Sequence, residues 1–397
     1  LSFNDTPRSN RLHIGIFGKR NSGKSSLVNA ITGHTTALVS DIAGTTTDPV
    51  YKTMEIHPIG PCVLIDTAGF DDEGVIGELR IKKTQEVTQK VDVALLVFNT
   101  DEDLTIEKKW IAILKEKKVP IIAVLNKADI LKDSKSASAY IERETGMKPI
   151  PVSAHAKTGI KEVINAIVRN LPEDYDAISI TGNVVNEGDT VLLVMPQNIQ
   201  APKGRLILPQ VQTIRELLDR KCLVMSATTD NLDEALMALA NPPHVIITDS
   251  QVFKEVYEKK PKESKLTSFS VLFAGYKGDI DYYVKSASAI ETLNETSKVL
   301  IAEACAHAPM TEDIGRVKIP RLLRKKAGDK LKIDIVSGTD FPEDLKQYDL
   351  IIHCGACMFN RKYVLSRIEK AKEQNVPITN YGITIAYLSG ILDKISL

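Results

Sequence analysis

A chain of 397 residues exceeds one ordinary hydrophobic core and implies two to three domains. Basic and acidic residues both total 51, so the formal net charge is zero, which argues against a dedicated nucleic-acid binder. No apolar run approaches the ~20 residues of a membrane span, no secretory signal opens the sequence, and five cysteines, an odd number, argue against a disulfide framework. A cytoplasmic location is expected, with no membrane and no nucleic-acid partner.

In residues 1–172, short apolar runs alternate with amphipathic segments: Leu12 to Phe17, Val63 to Ile65, Val91 to Phe98, Ile121 to Leu125 and Ile150 to Val152. Unbroken apolar strands between helices predict an α/β fold with a parallel-rich sheet covered on both faces. The first strand runs into Gly18-Lys19-Arg20-Asn21-Ser22-Gly23-Lys24-Ser25, and a helix begins around Ser26. This strand, glycine loop and helix make a phosphate cradle: loop N–H groups and the helix N-terminus face the phosphates. Lys24 would reach the β and γ oxygens, and the Ser25 hydroxyl would ligate magnesium.

Four further stretches extend that site. Thr46, in Gly44-Thr45-Thr46-Thr47-Asp48, is a candidate magnesium ligand and catalytic residue. Asp66 closes the strand ending at Ile65, where it would hold a magnesium-bound water, while the Gly69 N–H meets the γ-phosphate. Asn126-Lys127-Ala128-Asp129 follows the next strand, and Asp129 would accept from N1–H and the 2-amino group of guanine. Adenine would leave that carboxylate badly paired. Ser153-Ala154 would meet the guanine O6 edge. In this order the set resembles a P-loop GTPase of the translation-factor-like class, nearest the Era and TrmE branch. The resemblance implies GTP hydrolysis with magnesium. Phe70 stands where Ras-like enzymes place a water-positioning glutamine, and Asn21 matches the loop asparagine of members that hold potassium beside the phosphates.

Residues 173–267 predict a small α/β unit: strands at Thr190–Met195, Cys222–Met225 and Val245–Thr248, helices at Val211–Arg220 and Leu232–Leu239. So small a core often completes itself by oligomerising, and a homodimer is expected. Cys62 and Cys222 lie in apolar strands and read as core residues.

Residues 268–397 contain apolar runs at Val271–Ala274, Val299–Ala302, Leu331–Val336, Leu350–Ile352 and Val376–Thr379, separated by helical patterns, again predicting a parallel sheet. Cys305-Ala306-His307 and His353-Cys354-Gly355-Ala356-Cys357 each follow a strand, at the edge where ligands gather in open α/β sheets. Three thiolates suit a 4Fe–4S cubane with one free position, and a Cys₃His zinc site uses the same residue types. The spacing leaves both open.

This GTPase domain, small α/β unit and C-x-H…H-C-x-x-C domain together resemble the maturation GTPases of FeFe-hydrogenase. Further support comes from Gly44–Val50 and from Gln200-Ala201-Pro202-Lys203-Gly204-Arg205-Leu206-Ile207-Leu208-Pro209-Gln210, which is not a general GTPase feature. The resemblance implies a 4Fe–4S cluster on Cys305, Cys354 and Cys357, with His307, His353 or Glu312 as fourth ligand or as support by hydrogen bonding. It also implies a scaffold role for a di-iron precursor, with apo FeFe-hydrogenase and the radical-SAM maturases HydE and HydG as partners. The contrasting reading is an RNA-associated Era/TrmE-type GTPase whose carboxyl domain is stabilised by zinc.

Overall fold

The computed structural model describes residues 8–33, 49–69, 74–99, 103–131, 133–172, 175, 179–196, 206–304, 313–356 and 358–397. The chain divides into two compact units, 1–177 and 178–397.

The first unit is built on a six-stranded sheet of β1 (Leu12–Gly18), β2 (Val50–Ile56), β3 (Gly60–Asp66), β4 (Val93–Phe98), β5 (Ile121–Leu125) and β6 (Ile150–Pro151). Its order is β2-β3-β1-β4-β5-β6. Helices α1 (Lys24–Thr32), α2 (Gly74–Thr88), α3 (Thr105–Glu116), α4 (Ser134–Thr145) and α5 (Ile160–Arg169) intervene. The uniformly apolar strands arise because both faces are covered. Along β4, Val93, Leu95 and Val97 join a core with Leu27, Val28, Val163 and Ile167. Ala94, Leu96 and Phe98 face the opposite core, with Trp110, Leu114 and Ile141. The edge strand β2 runs antiparallel to β3. Lys52, Thr53 and Glu55 interrupt its apolar residues, and only Ile56 is buried, so it shows no apolar run in the sequence.

The second unit carries two four-stranded parallel sheets. The first comprises β7 (Thr190–Val194), β8 (Leu223–Ala227), β9 (Val245–Thr248) and β10 (Lys265–Ser268), with α6 (Leu208–Asp219), α7 (Leu232–Met237) and α8 (Phe253–Lys259). Its order is β10-β9-β7-β8. Next come α9 (Phe269–Lys277) and α10 (Ile280–Ala287), which lead to the second sheet. That sheet comprises β11 (Lys298–Glu303), β12 (Lys332–Ser337), β13 (Leu350–His353) and β14 (Ile378–Asn380), with α11 (Ile319–Ala327), α12 (Arg361–Glu373) and α13 (Tyr381–Leu388). Its order is β12-β11-β13-β14.

The apolar run Val271–Ala274, expected as a strand, is the middle of α9. Val271 and Ala274 enter one core, while Phe269, Leu272 and Phe273 enter another. A helix buried on all sides loses its 3.6-residue hydrophobic period and reads as a continuous run. The Ser268 hydroxyl, accepting from the Val271 N–H at 3.2 Å, starts it.

One core joins the two sheets: Leu192, Ile246 and Leu266 pack in the same cluster as Leu300, Ile351 and Ile378. Arg361 of α12 donates to the carbonyls of Gly275 (3.3 Å), Tyr276 (2.9 Å) and Gly278 (3.0 Å) at the end of α9. The Ser396 N–H reaches the Leu266 carbonyl at 2.8 Å. Cys62 and Cys222 are buried in the core, as expected; burial pushes the Cys62 thiol up to about 11.

Candidate functional site

The nucleotide cradle lies at the carboxyl ends of β1, β3, β4 and β5. Gly23, the helix-entry residue, has φ 87°, and a Cβ there would lie 2.2 Å from Asn126 Nδ2. Glycine alone meets both conditions. Lys24 is 8% exposed, and its ammonium donates to the carbonyls of Gly18 (2.9 Å) and Lys19 (2.8 Å), inside the loop that phosphates would enter. Asn21 takes φ 60° in the exposed part of that loop. Ser22 is buried, whereas Ser25 and Ser26 are exposed at the start of α1.

Asp66 ends β3. Burial raises its pKa, while a Ser25 hydrogen bond and the charges of Lys24 and Lys52 oppose the rise. Its Oδ1 is buried with no hydrogen-bond partner among the described residues. An orphaned carboxylate oxygen beside Ser25 and Lys24 suits a magnesium-bound water, so these residues fit that ion. The Thr67 hydroxyl, donating to the Ile16 carbonyl at 2.7 Å, holds the approach to Gly69. Thr46 and Phe70 lie outside the described residues.

Asn126 is 1% exposed. Its amide donates to the Ser22 carbonyl (3.0 Å) and the Gly23 carbonyl (3.4 Å), and its Oδ1 accepts from the Ala154 N–H (3.1 Å). It therefore ties the phosphate loop to the Ser153-Ala154 loop, which Ser153 closes by accepting from the Ala156 N–H at 2.9 Å. Lys127 sits at φ 58°, and Asp129 is exposed at the position expected to read guanine. The structure adds Lys19, whose ammonium lies 3.1 Å from Glu107 and donates to the Asp103 carbonyl at 2.7 Å. Glu107 is 2% exposed on α3. The sequence gives no local signal for this pairing, since its partners are 88 positions apart.

In the second unit, His353 ends β13 and Cys354 follows. Cys305, His307, Glu312 and Cys357 lie outside the described residues. The Cys354 Sγ accepts from the N–H of Ala304 (3.0 Å), just after β11, and of Ala356 (3.4 Å). Ala356 takes φ 52°, which turns its amide back toward the sulfur. Two backbone donors on one sulfur favour the thiolate. His353 is fully buried. Its Nδ1 pairs with the Cys354 carbonyl and its Nε2 with Arg367 Nη1, each at 2.9 Å. Burial and the Arg367 charge push the imidazole down to about 3, so it is neutral. The partners assign the proton to Nδ1.

Around this edge, the Arg316 guanidinium donates to Glu303 Oε2 at 2.8 Å and the Ser337 hydroxyl at 3.1 Å. The Tyr381 hydroxyl is buried without a hydrogen-bond partner among the described residues. Among those residues no group of three His, Cys, Asp or Glu side chains is arranged to hold a metal.

Three family models match the chain. Residues 13–127 match "50S ribosome-binding GTPase", residues 180–278 "Hydrogen maturase F dimerization domain", and residues 281–396 "Hydrogen maturase F tetramerization domain". Among curated proteins, the tRNA modification GTPase MnmE of Endomicrobium trichonymphae is 37% identical over 163 residues, covering 40% of this chain and 35% of that protein. The GTPase Der of Wolinella succinogenes is 41% identical over 124 residues, covering 30% and 26%. The chain thus spans about a quarter to a third of the length of these curated relatives. A solved structure of an Era variant from Aquifex aeolicus bound to GDP and AlF4− is 18% identical with a TM-score of 0.35, covering 57% of this chain and 98% of that one. The first unit has the P-loop GTPase fold, and the two models behind it together span more than half of the sequence. The chain belongs to the hydrogen maturase F (HydF) family of maturation GTPases.

Proposed function

We propose that the chain hydrolyses GTP and uses it to regulate a scaffold that carries a 4Fe–4S cluster and a di-iron precursor destined for apo FeFe-hydrogenase. The observation that carries this reading is the joining, in one chain, of a GTPase unit to both hydrogen maturase F domains. In the first unit, Lys24 would exchange the Gly18 and Lys19 carbonyls for the β and γ oxygens of GTP. Gly69 would donate to the γ-phosphate, and Asp129 would select guanine. Magnesium, held by Ser25, Thr46 and a water on Asp66, would neutralise phosphate charge. Asn21 is the residue we assign to potassium. Replacing potassium by sodium should then slow hydrolysis at least tenfold, and Asn21→Ala should erase the difference between the two salts.

In the second unit, the donor set is Cys305, Cys354 and Cys357. The two N–H donors on the Cys354 sulfur support a bound thiolate. The cluster would supply iron with one exchangeable coordination position. With both ring nitrogens engaged, His353 suits support rather than ligation, which leaves His307 or Glu312 for the fourth position. A dimer assembling further into a tetramer, HydE and HydG as partners, and a cytoplasmic location complete the reading.

The test is iron and sulfide analysis of anaerobically reconstituted protein beside a triple serine variant of Cys305, Cys354 and Cys357. About four irons and four sulfides per chain, lost in the variant, support the cluster. One zinc without sulfide overturns it.

A further inference from the structure

We propose that Arg367 is the fixed counter-cation of the cysteine site, held behind Cys354 through His353 to stabilise the negative charge of a thiolate-bound cluster. The inference rests on the cluster reading above. It concerns a residue that no sequence motif marks.

Arg367 lies on α12 and is 3% exposed. Its Nη1 meets His353 Nε2 at 2.9 Å, and Nη2 donates to the Gly338 carbonyl at 2.6 Å and lies 3.5 Å from the Tyr363 hydroxyl. Its Nε is buried without an acceptor among the described residues. The guanidinium carbon stands over the rings of Phe341 (4.7 Å), Phe359 (4.7 Å) and Tyr363 (4.9 Å). Every one of these partners is neutral, and a guanidinium stays charged at any pH the protein meets. Arg316, at the same sheet edge, shows the ordinary solution, a carboxylate at 2.8 Å.

Among the described residues none of the contacts of Arg367 is an anion, and a buried cation without one is strongly unfavourable unless the fold brings one. Among the described residues, Tyr363, Tyr283 and Cys354 are near enough to act on its charge, and of these three only a cysteine bound to a metal is anionic at neutral pH. The ring cage excludes water from the guanidinium, so its field on the neighbouring site is weakly screened. Neutral His353 transmits the contact: Nε2 accepts from the cation while Nδ1–H donates to the Cys354 carbonyl. A cation in that position favours the reduced, more negative state of a cluster.

The experiment is an EPR-monitored redox titration of the anaerobically reconstituted full chain, with iron content and thermal melting measured alongside. Arg367→Gln, which keeps a donor toward His353, should shift the one-electron reduction equilibrium at least tenfold against the reduced state, about 59 mV more negative. Arg367→Lys should recover most of that shift. Phe359→Leu, which thins the cage but keeps the cation, should lower the melting temperature and shift the potential in the same direction as Arg367→Gln but by less. A loaded Arg367→Gln protein at wild-type potential overturns the inference, as does a lysine variant shifted as far as the glutamine one. Should Arg367→Gln fail to fold, Arg367→Lys decides alone: within about threefold of the wild-type equilibrium it sustains the inference, and a tenfold loss overturns it. A wild type without iron and sulfide overturns the cluster reading and this inference with it.

Discussion

Asn126 and Asp129 occur in one tetrapeptide but do different work. Both ends of the Asn126 amide are engaged inside the protein, bridging the phosphate loop and the Ser153-Ala154 loop. Asn126→Ala should therefore cost about 2–3 kcal/mol in urea unfolding, because it strands a buried carbonyl and an N–H, and should weaken GTP binding as well. Asp129 is exposed, so Asp129→Asn should leave stability within about 0.5 kcal/mol while reducing GTP affinity by roughly 10³–10⁴-fold, measured by titration calorimetry. Asp249 supplies a pH-dependent case. Burial pushes its carboxyl up to about 6, against a hydrogen bond from Gln210. The unfolded carboxyl loses its proton near 4, so between pH 4 and 6 the native state holds more protons than the unfolded one, and stability falls as pH rises. Above pH 6 the penalty is complete. Asp249→Asn should then raise stability at pH 7.5 by about 1–2 kcal/mol after allowing for solvent screening, and flatten the dependence between pH 4 and 6. The motif residues of the cradle were legible because a loop needs them consecutively. Glu107 was not, because Lys19 is distant in sequence, and Arg367 was not, because its contacts with His353, Tyr363 and Gly338 follow no motif spacing.

Among the elements, α9 shows where periodicity fails. The pattern Phe269-Ser270-Val271-Leu272-Phe273-Ala274 carries no exposed stripe, since the helix lies between two cores. The parallel strands were readable for the opposite reason: burial on both faces makes them short, apolar and bounded by turns. The edge strand β2 lacks that burial and was missed. The end of α9 is capped by a side chain from far along the sequence, Arg361, whose charge meets three carbonyls at the negative end of the helix dipole. Arg361→Ala should destabilise the second unit by about 2 kcal/mol in urea unfolding, and Arg361→Lys by about half as much, since a single ammonium cannot match the guanidinium's fork.

At the scale of the whole molecule, the nucleotide and cysteine sites belong to different compact units. Each chemistry should be removable alone. Cys354→Ser should reduce bound iron to less than half while keeping GTP turnover within about twofold of wild type. Lys24→Ala should lower turnover by more than about a hundredfold with iron content unchanged. Loss of turnover in a folded Cys354→Ser protein, assayed by phosphate release, would contradict this division of labour.

The core shared by the two sheets of the second unit bears on how this protein can be dissected. The two family models meet at Gly278 to Asp281, yet Leu266 and Val271 on one side pack with Tyr283 and Ile378 on the other. A fragment starting at Asp281 would bare that oily seam and lose the Leu266 carbonyl that receives the Ser396 N–H. Such a piece should clump rather than dissolve. The smallest fragment of this half worth expressing is residues 178–397, and any hinge that partners exploit must be sought outside that seam.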